Sequence, residues 1–125
     1  MSSEKALYII HCQDDLSCGM VDKGERFGGS VNRMSVYADH KAYLASTEDP
    51  STPSYIRKIA AGPMETDDLK YMVGSFFIVE ATREEAEAFN RNDPFSKNGV
   101  WKEVRLLKTS QIITILFISF NLFCR

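Results

Sequence analysis

Residues 73–81, VGSFFIVEA, followed at once by residues 82–85, TREE, decide the fold. The first stretch is rich in aromatic and β-branched residues, which predicts a strand. In the second, the Thr82 hydroxyl can accept from the backbone N–H of Glu85 while the Glu85 carboxylate accepts from the N–H of Thr82. This reciprocal capping box begins a helix, so the chain is predicted to pass from strand directly into helix.

Upstream of this stretch, periodicity and turn residues predict one strand and one helix. Residues 7–12, LYIIHC, form an apolar run too short for a helix, and we expect a strand buried on both faces. Residues 34–45 repeat apolar side chains every three or four positions, which predicts a helix whose buried stripe includes His40. Residues 17–32 and 46–54 carry glycines, or prolines among polar residues, and predict loops.

Two more strands complete the pattern. Residues 55–61 lead into a Gly-Pro pair at 62–63, which indicates a strand that ends in a turn and forms a hairpin with the strand quoted above. The second helix stops at the Asp-Pro pair at 93–94, and residues 100–107 alternate as a further strand. The resulting order, β-α-β-β-α-β, is that of an α+β ferredoxin-like sandwich with both helices on one sheet face.

The sheet face away from the helices needs a cover. Phe76, Ile78, Val100 and Val104 are expected on that face, where they would form a larger apolar patch than monomers usually expose. A second copy of the same sheet would cover it, so the sequence predicts a homodimer.

The C-terminal segment differs from the domain before it. We expect the domain to span residues 1–108 and an apolar tail to span 109–125, because residues 112–124 carry no charge. A bilayer-spanning helix needs ~20 mainly apolar residues, so the tail favours an additional strand or helix on the domain or dimer over a membrane anchor. A third alternative is a segment that was never selected to belong to this fold.

Composition excludes several classes of function. The chain has 125 residues, 44% hydrophobic and 26% charged, as expected for one globular domain. A net charge of −2 argues against a nucleic-acid partner. Its three cysteines, Cys12, Cys18 and Cys124, lack the spacing of a zinc site, and the N-terminus lacks a secretory signal. We expect reduced thiols, a cytoplasmic location, no metal and, in the absence of a phosphate-binding or dinucleotide motif, no cofactor.

Six short stretches, in this order along the chain, resemble the YCII-related (YciI-like) domain family. They are HKAYL at 40–44, AGP at 61–63, GSFFIVEA at 74–81, EEA at 84–86, and NDPF at 92–95 with GV at 99–100. The resemblance covers roughly residues 6–108. It implies a ferredoxin-like fold that dimerises into an α/β barrel, a cleft near the helical His, and an enzymatic role on a small molecule.

The sequence departs from the family pattern at two places. The pattern pairs the helical His with an Asp before the Gly-Pro turn, but Asp49 is the only Asp between His40 and Gly62 here. Residues 57–58, Arg-Lys, occupy the place just before the turn, and Tyr37 stands where the family often has a basic residue.

His40 is the strongest candidate for chemistry, because imidazole can take up and release a proton near neutral pH. The alternative is a His that only satisfies its hydrogen bonds in the core. Asp93 is its preferred acid partner, ahead of Asp49, although Asp before Pro also stabilises turns. Ser75, Tyr37 and His11 are the further candidates for binding a ligand.

The sequence therefore supports two functions. The first is an enzyme that isomerises, hydrolyses or eliminates a group from a small molecule, with His40 as proton carrier and Asp93 as its partner. The second is a non-catalytic dimeric module that binds a ligand or a partner. An exposed His40 beside a carboxylate would favour the enzyme, and a His40 enclosed by apolar side chains would favour the module.

Overall fold

The central sheet carries its helices on one face, in a computed structural model that describes residues 4–22 and 28–110. The four long strands lie in the order β4-β5-β1-β6, and every adjacent pair is antiparallel. The long elements follow the predicted β-α-β-β-α-β order: β1 (Ala6–Asp14), α1 (Val31–Ser46), β4 (Arg57–Glu65), β5 (Tyr71–Ala81), α2 (Arg83–Arg91) and β6 (Trp101–Thr109). A short helix, α3 (Pro94–Lys97), precedes β6. The chain is thus a mixed α+β domain of the ferredoxin-like type.

Two short strands lie in the region that was predicted to be a loop. They are β2 (Met20–Val21) and β3 (Gly28–Ser30), which pair with each other, and β3 also pairs in parallel with the start of β5. A Cβ atom at Gly28 would collide with the backbone carbonyl of Val21. Glycine is normally depleted in strands, and the glycines at 28–29 therefore led to the prediction of a loop. The same Gly28 permits the close approach of the two strands.

The predicted turn at Gly62-Pro63 is wrong, because β4 continues through both residues to Glu65. Pro63 lies opposite Ser75 of β5, and among the described strands β4 pairs only with β5. Proline has no backbone N–H to donate to a neighbouring strand. An edge strand tolerates proline because some of its N–H groups have no neighbouring strand to bind.

The side chains of β1 alternate between a buried face and an exposed face of the sheet. Tyr8, Ile10 and Cys12 are buried on the helix side, whereas His11 and Gln13 are exposed on the other side. The prediction that this strand is buried on both faces is therefore wrong. Antiparallel sheets commonly pack on only one face. The burial of β1 alternates in the same way, but its residues 7–12 are mostly apolar on both faces, so the alternation is not visible in the sequence.

The open sheet face, defined here by Leu7, Ile9, Phe76, Ile78 and Leu107, is apolar in its middle. Ile9 lies directly opposite both Ile78 and Leu107, and Leu107 is 55% exposed. Two of the residues predicted for this face belong elsewhere. Val100 is fully buried, and Val104 lies opposite Cys12, which places it on the helix side.

Each helix begins at a side chain that accepts a backbone N–H. Ser30 caps α1 by accepting from Arg33 N, and the predicted capping box of Thr82 and Glu85 is present at α2. Asp93 caps α3 by accepting from Phe95 N at 2.8 Å, with a proline at the first helical position.

A buried ion pair fastens α1 to the sheet. Arg33 Nη1 donates to both carboxylate oxygens of Asp14, at 2.8 and 3.0 Å, and Nη2 donates to Ser75 Oγ at 3.1 Å. Burial raises the pKa of Asp14, and the Arg33 guanidinium opposes that rise. The guanidinium carbon also lies 4.9 Å from the centre of the Phe95 ring. Arg33 therefore links α1 to both β1 and β5.

Replacing Arg33 by Met should destabilise the protein, because it leaves the Asp14 carboxylate buried without its counter-ion. We expect the free energy of unfolding in urea to fall by about 3–5 kcal/mol. The double variant D14L/R33M should recover part of that loss, since it removes both buried charges. The matched control is R57M, whose exposed partner is Glu80, and it should have no resolvable effect. Equal losses in R33M and R57M would show that the buried pair has no special role.

Removing residues 111–125 should leave a folded domain. The six strands and three helices of residues 4–22 and 28–110 all end before Ser110. The predicted apolar tail lies outside the described residues except for its first two. We expect the shortened protein to unfold cooperatively on heating, followed by circular dichroism, with a midpoint close to that of the full chain. Aggregation or loss of cooperativity would mean that the tail completes the core. Within residues 4–22 and 28–110, no helix is long and apolar enough to cross a membrane.

Candidate functional site

A cavity of about 210 Å³ lies between α1 and the strands β4 and β5. One wall is the face of α1, and the other is formed by three consecutive residues of β4 and by three residues of β5. Its lining residues are Arg33, Tyr37, His40, Lys41, Leu44, Ala61, Gly62, Pro63, Met72, Ser75 and Phe77. Most of this surface is apolar, with polar groups at a few points, as is usual for small-molecule sites.

His40 meets a carboxylate inside the protein. Its Nδ1 lies 2.7 Å from Asp93 Oδ1, and the two residues are 5% and 1% exposed. Asp93 Oδ1 also accepts the backbone N–H of Phe95, so this oxygen acts as an acceptor in both contacts. Nδ1 of His40 therefore carries the proton and donates it to Asp93. Nε2 is the ring nitrogen that keeps its lone pair for a ligand.

Aromatic rings hold the imidazole in this orientation. The His40 ring stacks on Phe95, with centroids 3.8 Å apart and planes within 2° of each other. Trp101 meets the imidazole edge-on at 6.3 Å and 87°. Because rings and carboxylate together fix the plane of the imidazole, Nε2 has a defined direction.

Ser75 brings a hydroxyl to the same cavity. It is 2% exposed, and its oxygen accepts from Arg33 Nη2, which leaves the hydroxyl proton free to donate. Ser75 makes no other side-chain hydrogen bond within the described part of the chain. A charged donor on its oxygen makes the hydroxyl a better donor to a ligand oxygen.

The predicted site residues divide between the two faces of the sheet. Ser75, Tyr37 and His40 all line the cavity, and Asp93 lies behind His40. His11 does not reach the cavity, because it is exposed on the open sheet face. Asp49 is also remote: it lies in an exposed loop and accepts from the N–H and hydroxyl of Ser51.

Sequence reasoning missed Arg33, Asp14 and Lys41. Arg33 precedes His40 by seven residues, which is two helical turns, so the two share one face of α1. That spacing was a usable signal, but an Arg at the start of a helix is usually exposed. Asp14 offered no comparable signal, since its partner follows 19 positions later.

The buried Cys12 thiol and the half-buried Tyr43 hydroxyl near the site stay protonated at neutral pH. Burial raises the pKa of the Cys12 thiol to about 12, and its sulfur accepts from the Asn90 amide. Burial also raises the pKa of Tyr43 to about 12, and its hydroxyl donates to the Phe89 carbonyl. Neither group is available as a nucleophile or a base at neutral pH.

The site thus combines a proton acceptor and a hydrogen-bond donor at an apolar cavity. Nε2 of His40 can take a proton from a ligand while Asp93 stabilises the imidazolium that forms. The Ser75 hydroxyl can donate to an oxygen on which negative charge develops.

Solved structures of similar shape include one of defined activity. This chain is 26% identical to 5-chloro-2-hydroxyhydroquinone dehydrochlorinase from Burkholderia phenoliruptrix AC1100, whose structure contains 2,5-dihydroxybenzoquinone. The superposition has a TM-score of 0.60 and covers 85% of this chain and 95% of that one. The protein PA3566 from Pseudomonas aeruginosa is 8% identical, with a TM-score of 0.45 over 90% of this chain and all of that one. No curated protein sequence matches this chain.

The sequence profile of the YCII-related domain matches residues 6–110. That range begins at the first residue of β1 and ends one residue after β6, so it coincides with the described fold. The resemblance seen in the sequence is confirmed, and the chain belongs to the YCII-related domain family.

Proposed function

We propose that this protein is an enzyme that removes a proton from a small cyclic molecule, with His40 as the base. The observation that carries this proposal is the 2.7 Å contact between His40 Nδ1 and Asp93 at the edge of the cavity. The contact leaves Nε2 as the acceptor and supplies a negative charge behind the ring.

In the proposed reaction, Nε2 takes a proton from a carbon next to a carbonyl group. The electrons of the C–H bond move toward the carbonyl oxygen, which accepts a hydrogen bond from Ser75. If the molecule bears a leaving group, the same electrons then expel it, and the reaction is an elimination. If it bears none, the imidazolium returns the proton at another atom, and the reaction is an isomerisation. Hydrolysis is less well supported, because no activated nucleophile lines the cavity among the described residues.

The dehydrochlorinase relative supports elimination over isomerisation. Its name describes loss of hydrogen chloride, and its bound compound is a single oxygenated ring. A cavity of about 210 Å³ is of the right size, since a cavity of about 150 Å³ already holds benzene. We therefore propose a one-ring substrate that carries a carbonyl group, or a ring hydroxyl whose keto tautomer supplies that carbonyl.

A ligand-binding module is the second proposal, and the burial of His40 favours it. The ring is 5% exposed and packed against Phe95 and Trp101, which also suits a residue that only holds a ligand. The carboxylate contact and the position of His40 in the cavity lining favour the enzyme. Turnover separates the two proposals, whereas binding alone does not.

We also propose a homodimer through the open sheet face, which in this family fold would form an α/β barrel. Ile9, Ile78 and Leu107 adjoin one another across three strands of that face. A contiguous apolar surface of this kind is usually covered by a partner. The cytoplasmic location expected from the sequence stays a prediction.

His40→Gln should abolish turnover and leave the fold intact. Glutamine can hydrogen-bond to Asp93 but cannot take up a proton near neutral pH, so the rate should fall about 100-fold or more. The assay follows chloride release from 5-chloro-2-hydroxyhydroquinone and from other chlorinated one-ring compounds, with thermal unfolding to verify the fold.

The matched control is His11→Gln, which changes the only other histidine of the chain and lies on the opposite sheet face. It should retain the full rate. Equal rates in wild type and H40Q would exclude His40 as the base. A wild-type protein that binds these compounds without any turnover would favour the ligand-binding module.

Ile78→Glu should convert the dimer to a monomer, because it places a charge at the centre of the open sheet face. Light scattering at micromolar concentration measures the mass directly. Glu87→Gln, in the exposed face of α2, should leave the dimer unchanged. A monomeric wild-type protein would overturn the dimer.

A further inference from the structure

Lys41 lies where the cavity opens to solvent. It lines the cavity and is exposed, and its ammonium nitrogen lies 5.6 Å from the centre of the Tyr37 ring. Tyr37 is one helical turn before Lys41, so the two side chains form one edge of the opening. The aromatic ring attracts the ammonium group and keeps it near the opening.

The charge of Lys41 is not neutralised within the described part of the chain. No carboxylate lies within ion-pair distance of it, and no Asp or Glu lines the cavity. The other cation of the lining, Arg33, is bound to Asp14. Among the lysine and arginine side chains that line the cavity, Lys41 is therefore the one whose positive charge can pair with a ligand.

The distribution of charge gives a ligand one preferred orientation. The two carboxylates, Asp14 and Asp93, lie behind Arg33 and His40, and both are at most 1% exposed. An anionic group placed deep in the cavity would approach these charges and lose its hydration. At the opening, the same group keeps its water and meets Lys41. The uncharged part of the ligand then faces the apolar walls.

We propose that Lys41 selects substrates with a single carboxylate, so that the natural substrate is a small ring acid that binds with its ring inward. One ammonium group suits one negative charge, since the described residues place no second free cation at the opening. Ring-inward binding brings the ring to His40, the residue before Lys41. This inference rests on the proposed function for the reaction, but it concerns binding and is tested separately.

Benzoate and benzamide test the inference, because they share a shape and differ in charge. We would titrate each into ¹⁵N-labelled protein and follow the backbone signals of the cavity residues. Wild type should bind benzoate about fivefold more tightly than benzamide, as expected for one partly exposed ion pair. In K41Q the two affinities should become equal, and in K41R the preference for benzoate should remain. Raising the salt concentration should weaken the preference in wild type.

K108Q is the matched control, because Lys108 is an exposed lysine of β6 outside the cavity. It should keep the wild-type preference. A preference for benzoate that survives in K41Q, or equal binding of both probes to wild type, would overturn the role of Lys41. If neither probe shifts the cavity signals up to its solubility limit, the class of small ring acids is wrong. Carboxylate preference without any turnover would instead leave this inference in place and remove the proposed catalysis.

Discussion

The ion pair between Arg33 and Asp14 is the contact on which the geometry of the site depends. It joins α1 to β1, and the further bond to Ser75 joins α1 to β5. Arg33 and His40 lie on the same helix face, two turns apart, so fixing one fixes the height of the other above the sheet. Withdrawing two charges from water has a large cost, which only close, well-directed hydrogen bonds can offset. Arg33 Nη1 contacts both carboxylate oxygens, at 2.8 and 3.0 Å, and Nη2 donates to Ser75, whereas the buried Nε has no partner among the described residues.

Asp93 shows how one side chain can connect local structure with chemistry. The same oxygen accepts the N–H that begins α3 and the N–H of His40. The cap holds the carboxylate still, and the immobile carboxylate fixes which nitrogen of the imidazole bears the proton. Pro94 contributes because its fixed φ suits the first position of a helix, and it keeps Asp93 in an extended conformation. This four-residue helix is thereby essential to the orientation of His40, and it also places the fully buried Phe95 in the core.

Elements with strong local signals could be predicted from the sequence. The capping box at Thr82 and the aromatic run of β5 both depend on neighbours within a few residues, and both were found. The misplaced features depend on distant partners. Residues 28–30 form a strand because they pair with β2 and β5. The Gly-Pro pair at 62–63 stays extended because β4 pairs with β5 on both sides of it. Val104 was assigned to the wrong face because the register of β6 is set by β1.

The residues of the candidate site also divide into those with a local sequence signal and those that depend on a distant partner. His40 was found from its place in an apolar stripe, and Asp93 was named as its preferred partner. Arg33 lies on the same helix face as His40, but its burial depends on Asp14, a counter-ion 19 residues away that no local pattern predicts. The sequence leaves open which face of the first strand His11 occupies, and the structure places it on the open sheet face.

The stacking of Phe95 on His40 has a spectroscopic consequence. A proton held above the face of an aromatic ring experiences the ring current and resonates upfield of its usual position. The imidazole of His40 lies 3.8 Å from the Phe95 centroid and parallel to it, whereas His11 is exposed on a strand. The two histidines of this chain should therefore give well-separated imidazole signals. The ionisation of the site could then be followed directly in the intact protein, without isotope editing of individual residues.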